Sequence, residues 1–119
     1  MENKEFGKIL ELRTMKFAVA IIRLSGKLPC TPERKVIRYQ VTKSGTSIGA
    51  NYHEANRSRS KADFSNKVRL CEFEASETVY WLGILYELEW IASDKLSPVC
   101  AEATELLAIF SSIGKSLRP

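Results

Sequence analysis

The sequence predicts an all-α protein, an up-down-up-down four-helix bundle forming one domain over residues 1–119. Three observations predict it. First, 119 residues with 45% hydrophobic and 27% charged composition make one globular core that buries about two thirds of the surface of the unfolded chain. Second, six glycines and four prolines are too few for a turn-rich all-β chain, and no window alternates with period two for long. Third, apolar residues recur at helical spacing over four stretches parted by short breaks, and short connections make neighbouring helices antiparallel.

The elements follow in order. Helix one, about 5–27, carries Phe6, Ile9/Leu10, Phe17, Ala20/Ile21 and Leu24, with a gap in the stripe at Arg13. The first break, Leu28-Pro29-Cys30-Thr31-Pro32, offers Thr31 as N-cap and Pro32 at the first helical position. Helix two, about 32–57, reads Val36/Ile37, Gln40/Val41, Ser44, Ile48, Tyr52 and Ala55. The second break, Arg57 to Ser60, ends in Ser60-Lys61-Ala62-Asp63, a capping box with Asp in place of Glu. Helix three, about 61–92, reads Phe64, Val68, Cys71, Ala75, Val79, Leu82 and Tyr86. The third break, Ala92 to Pro98, places Ser97 as N-cap before Pro98, and helix four, about 98–116, reads Val99, Ala103, Leu106/Leu107, Phe110 and Ile113, with Leu117 just beyond its end.

Two places depart from simple amphipathic patterning. Between Val79 and Ile91, 11 of 13 residues are apolar, aromatic or glycine. A helix apolar all round is covered on more than one side, either by a partner or by the third break and the chain ends. Trp81, Tyr86 and Trp90 are the candidate interface residues, since aromatics are enriched at interface centres. The second place is Gly45 and Gly49, four residues apart inside helix two. Each costs roughly 0.5–1 kcal/mol relative to Ala, which a close approach to another helix would offset; a loop is the alternative.

Composition argues against several classes. His53 is the single histidine, and no Gly-x-Gly-x-x-Gly or Walker-type loop occurs. No pair of Glu-x-x-His motifs and no four-ligand zinc spacing exists, so no metal or other cofactor is expected and the protein reads as a non-enzyme. Cys30, Cys71 and Cys100 are odd in number and far apart, the usage of reduced, mostly buried thiols. The acidic start Met1-Glu2-Asn3-Lys4-Glu5 is unlike a secretory signal, and charge-free stretches such as Phe17–Ile22 fall short of the ~20 residues of a membrane span. A cytoplasmic protein with no membrane contact is expected.

The net charge of +4 hides segregation along the chain. Residues 34–69 hold nine basic and two acidic residues, net +7, while residues 70–110 hold eight acidic and one basic, net −7. Such a basic half fits phosphate contacts with RNA or DNA. It fits equally the docking of a basic face on the acidic face of another copy, or a solvated surface that keeps the chain soluble. The candidate nucleic-acid contacts are Arg34, Lys35, Arg38, Arg57, Arg59 and Lys61.

Helices two and three carry a pattern of their own. Gln40, Ser44-Gly45-Thr46-Ser47-Ile48-Gly49-Ala50-Asn51-Tyr52-His53-Glu54-Ala55, then Arg57, Ser60, Asp63-Phe64 and Lys67, then Glu74-Ala75-Ser76-Glu77-Thr78 and Tyr80-Trp81-Leu82 stand in order. This order resembles the signature of the four-helix-bundle family encoded in intervening sequences of bacterial 23S ribosomal RNA genes. The resemblance covers the central part of the chain closely and the outer helices by pattern. It implies a small cytoplasmic bacterial bundle that assembles into homopentamers, with no reaction attached. A related branch, the accessory protein of diversity-generating retroelements, binds reverse transcriptase and nucleic acid. Where many relatives carry Gly after the Glu, this chain has Ala55, which predicts that helix two runs on.

Within this pattern Asn51 and Glu54 share a face of helix two, and Glu74 and Glu77 share a face of helix three. With Arg57, Tyr80, Ser44 and Ser47 as partners they are expected to form a buried polar network that fixes helix register; a ligand site is the alternative. An interior Glu77 would leave Arg57 stranded on removal. The sequence thus predicts a non-enzymatic oligomer, likened to a pentamer, that binds nucleic acid or a nucleic-acid enzyme, or else a self-assembling scaffold without that role.

Overall fold

The structure, a computed structural model, describes residues 4–118. Four helices follow one another: α1 Lys4–Ser25, α2 Pro32–Ala55, α3 Lys61–Leu88 and α4 Ser93–Ser116. Each packs on its chain neighbours and α1 closes on α4, which leaves α1 opposite α3 and α2 opposite α4 in a bundle 45 × 24 × 22 Å. No strand occurs among the described residues.

The buried seams step by three and four residues. On α1 they are Leu10, Thr14, Phe17, Ile21 and Leu24, and on α3 Val68, Cys71, Ala75, Thr78, Leu82 and Leu85. This is the spacing of side chains that interlock between nearly antiparallel helices. Across the centre the rings of Tyr52 and Phe110 meet edge to face at 5.4 Å, joining α2 to α4. The gap foreseen at Arg13 is real: Thr14 occupies the seam there, buried, with its hydroxyl 3.0 Å from the Leu10 carbonyl. Arg13 points outward instead and bridges Glu102 at 2.7 Å and Glu105 at 2.6 Å, tying α1 to α4.

Gly45 and Gly49 lie within α2, not in a loop, and both face α1. A Cβ on Gly45 would stand 2.8 Å from Ile21 Cγ1, and one on Gly49 would stand 3.0 Å from Thr14 Oγ1. The helix–helix approach foreseen for this pair is therefore made with α1.

The caps at Thr31 and Ser60 form as expected, their side chains accepting from the Arg34 and Asp63 amides. The ends differ elsewhere. Helix α2 stops at Ala55 rather than running to 57, because Arg57 turns back and donates to the His53 carbonyl at 2.6 Å. Helix α3 stops at Leu88 rather than 92: Glu89 adopts a left-handed conformation with φ 56°, and Ile91 folds back to 8% exposure. Helix α4 starts at Ser93 rather than 98, with Ala92 as N-cap and Pro98 inside the helix. Leu96 decides this, being fully buried in register with Ala103, Leu106 and Phe110. Burying Leu96 and Ile91 gains roughly 1.5–3 kcal/mol each, against about 3 kcal/mol for an interior proline.

Several apolar residues counted toward the core lie outside. Phe6 and Ile9 are exposed, and Ile9 joins Leu12, Met15, Val19 and Ile22 in an outward stripe on α1. By length and composition α4 is the one described helix sufficient to cross a membrane; in the bundle its Leu96, Ala103, Leu106 and Phe110 are buried in the core. None of the three cysteines is in a disulfide; Cys71 is buried and Cys30 exposed, against the expectation of burial for most. Burial pushes the Cys100 thiol up from its ordinary pKa.

Gly45→Ala should destabilise the fold by about 1–3 kcal/mol, the overpacking cost outweighing a gain of up to ~1 kcal/mol in helix propensity. Combined with Ile21→Ala, which removes the clashing methyl groups, the two losses should sum to less than their separate values in thermal or urea unfolding. Strict additivity would mean that the two helices do not meet there.

Candidate nucleic-acid interface

The six candidate cations do not form one patch. Antiparallel packing puts Arg34, Lys35 and Arg38 at the start of α2, and Arg57, Arg59 and Lys61 beyond its end. The two groups are about 35 Å apart at 1.5 Å per residue.

At the first end the cations are largely engaged. The Arg34 guanidinium lies 4.7 Å above the Trp90 ring, and its Nε is buried without a hydrogen-bond partner. This stacking holds Trp90 against the bundle. Arg38 Nη1 reaches Cys30 Sγ at 3.3 Å. Lys35 is exposed and, with Arg38, Tyr39 and Lys43, borders a shallow hollow along α2.

At the other end the chain brings together more than its sequence neighbours. Lys4 and Lys8 of α1, Arg57 and Arg59 of the connection and Lys61 of α3 surround a cleft of about 660 Å³. Its floor includes Gly7, Ala55, Phe64 and Leu117. Gly7 lies against Asn56, where even a Cβ would make only an ordinary contact of 3.4 Å with Nδ2. Lys4, Lys8, Arg59 and Lys61 make no ion pair among the described residues. Lys4 and Lys8 escape a linear reading because they are some fifty residues from the loop they join; only the antiparallel course of α1 and α2 brings them there.

Glu11 is the one carboxylate among the described residues of the cleft wall, and it organises the connection. Its Oε2 accepts from Asn56 Nδ2 at 2.8 Å and Arg57 Nη1 at 3.2 Å, and its Oε1 lies 3.3 Å from His53 Nδ1. Partial burial pushes the Glu11 carboxyl up, but the bonds from Asn56, Arg57 and His53 and the Arg57 charge outweigh it and hold the pKa below its ordinary value. His53 is thereby part of a clamp between α1 and α2. No sequence pattern marks Glu11, whose partners lie more than forty positions away.

The expected interior polar network does not form as one unit within the chain. Ser44 is buried, and its hydroxyl lies 2.9 Å from that of Thr78, which was not foreseen as a member. The Thr78 hydroxyl also lies 2.6 Å from the Glu74 carbonyl, which can only accept, so Thr78 donates there and accepts from the Ser44 hydroxyl. Ser47 donates to the Lys43 carbonyl at 2.6 Å and Asn51 to the Ser47 carbonyl at 2.9 Å, both within α2. Glu54 is exposed and pairs with Lys67 of α3 at 2.9 Å. Hydrogen bonding to Lys67, then its charge, lowers the Glu54 pKa and raises that of Lys67.

Glu77 is exposed and accepts from Trp81 Nε1 at 3.1 Å, far from any role with Arg57. Burial, then the Glu77 charge, raises the Glu74 pKa against the opposing pull of Lys43. Tyr80 is exposed, its ring edge to face with Trp81 at 5.1 Å. The physical reason is angular: Thr78, not Glu77, continues the three-four seam of α3, and the acids fall outside it. Of the candidate interface residues, Tyr86 is exposed while Trp81 and Trp90 are half-buried. The exposed apolar side chains of α3 are Leu70, Phe73, Tyr80, Tyr86 and Leu88.

Glu77→Ala should change stability by less than about 0.5 kcal/mol, whereas Thr78→Val should cost about 1–3 kcal/mol by leaving the Ser44 hydroxyl buried without its partner. Urea unfolding of the two variants checks the ranking. For Glu11, a folded-state pKa below the unfolded one means that its contribution is present above the ordinary carboxylate pKa of ~4.3 and is lost as pH falls through the folded value. The stability gap between wild type and Glu11→Gln should therefore be full at pH 7 and close on acidification below pH ~4. A gap independent of pH would show that the carboxylate charge is not used.

The sequence profile of the 23S rRNA-intervening sequence protein family matches residues 10–112. The fold is similar, with TM-score 0.81 and 37% identity, to the crystal structure of a protein of unknown function from the S23 ribosomal protein family of Bacteroides thetaiotaomicron. That similarity spans 88% of this chain and 97% of the other. No curated protein matches the sequence. With the profile spanning most of the four helices and the bundle shared, this chain belongs to the 23S rRNA-intervening sequence protein family.

Proposed function

We propose that this protein is a non-enzymatic, cytoplasmic nucleic-acid-binding module that works as a homo-oligomer. The observation that carries this reading is the cleft at the loop end, where Lys4, Lys8, Arg59 and Lys61 have no acidic partner among the described residues. Cations held close together without counter-charges gain by meeting phosphates, whose condensed ions are then released. Lys35 at the far end of α2 is a second contact available to a longer ligand; Arg34, stacked on Trp90, is not.

Assembly is supported by the two outward apolar stripes. One lies on α1 at Ile9, Leu12, Met15, Val19 and Ile22, the other on α3 at Leu70, Phe73 and Tyr80. They occupy opposite corners of the bundle, and unlike surfaces joined by a rotation close into a ring when the angle permits. Five copies is the number that the family resemblance implies. A ring would gather one basic cleft per subunit and raise avidity for a polyanion. A nucleic-acid enzyme such as a reverse transcriptase is a further partner compatible with the same surface.

Binding of single-stranded RNA, duplex RNA and DNA, followed by anisotropy at increasing salt, tests the reading. Contact with about four phosphates of a single strand predicts a log–log slope near −3. Arg59→Glu/Lys61→Glu should weaken binding at least tenfold with the fold intact by circular dichroism. Absence of binding at low salt, with light scattering still reporting a multimer, would leave a self-assembling scaffold without a nucleic-acid role; a persistent 13.4 kDa species would remove the assembly.

A further inference from the structure

The loop-end cleft differs from an open groove in being walled by all four helices or their ends. Residues Lys4 and Lys8 come from α1, Arg59 from the connection, Lys61 and Phe64 from α3 and Leu117 from the end of α4. A strand running past a bundle needs only a track along one face. A half-open hollow bordered by the ends of four elements also admits the end of a chain.

Its chemistry is divided in the same sense. Ala55 is buried at the floor beside half-buried Phe64 and Leu117, whereas the cations stand at the rim. Among the described lining residues five cations face one carboxylate, Glu11, a net charge of +4. A phosphodiester inside a strand carries one negative charge. A terminal phosphate monoester carries about −1.5 to −2 near pH 7 and has three acceptor oxygens. The cluster therefore favours the monoester. A volume of about 660 Å³ lies within the range of small-molecule sites and admits one nucleotide.

We propose that this cleft seats the phosphorylated terminus of a nucleic-acid strand, with the phosphate among Lys4, Lys8, Arg59 and Lys61 and the terminal base against Phe64 and Leu117. The inference rests on the nucleic-acid reading above and narrows it from a charged surface to a recognised end. Aromatic stacking is tolerant of sequence, so the site selects the end group and not the base.

The test uses the full chain and RNA oligonucleotides of one sequence, about 12 nucleotides long, ending in a 5′-phosphate, a 3′-phosphate or hydroxyls at both ends. One phosphorylated strand should bind at least about tenfold tighter than the hydroxyl-ended strand, and which one does so tells the polarity. Lys4→Ala/Lys8→Ala should abolish that preference while hydroxyl-ended binding falls only a few-fold. Phe64→Leu, which keeps an apolar side chain at the floor, should weaken the phosphorylated strand severalfold. Equal affinity for all three strands would overturn this inference and leave nucleic-acid binding standing. A preference that survives in Lys4→Ala/Lys8→Ala would overturn the placement of the phosphate. No binding of any strand at low salt would remove the broader reading and this one with it.

Discussion

The close approach of α1 to α2 at two glycines is the constraint on which the rest of the molecule depends. Gly45 admits the Ile21 side chain and Gly49 admits Thr14, with no room for a Cβ at Gly45 and only a tight 3.0 Å for one at Gly49. Once α1 lies that near, the opposite side of α1 brings Arg13 to Glu102 and Glu105 on α4, and the ring of four helices closes. The same approach carries Glu11 to Asn56 and Arg57 beyond the end of α2. Two helical glycines, each unfavourable in isolation, thus determine both the closure of the core and the shape of the loop end.

The loop end shows how a family pattern is spent on architecture. His53, Asn56 and Arg57 could be read as a reactive set, yet all three converge on Glu11 and fasten α2 to α1. Glu54 faces away and holds Lys67 on α3. Of the cations that rim the cleft, Arg57 is held in these clasps, while Lys4, Lys8, Arg59 and Lys61 take no part in them. Charges tied within the bundle thus lie beside charges that make no ion pair among the described residues.

The acids of α3 follow a different logic. Burial and the neighbouring Glu77 charge raise the cost of ionising Glu74, Glu77 stands in solvent, and neither anchors the core. Beside them Phe73 and Tyr80 are largely exposed, each above 60%. A helix face that combines large apolar side chains with unpaired acids is poorly used by a lone chain. It is complementary in character to the apolar and basic surface of α1 and α2.

The sequence by itself determined the four helices, their order and antiparallel course, the caps at Thr31 and Ser60, the interhelical use of Gly45 and Gly49, and membership of the family. These are local matters of periodicity, capping hydroxyls and punctuation, and they act within a few residues. It misplaced the ends of α3 and α4, because burial of Ile91 and Leu96 overrode the proline signal. It also placed Glu77 inside, because spacing within a helix shows which residues share a face but not which face turns inward. The tertiary structure alone decided that question, and with it the division of the basic residues between two ends. Lys4, Lys8 and Glu11 belong to the candidate site only because antiparallel packing returns the chain to where it began, and no pattern in a linear sequence encodes a contact across some fifty residues.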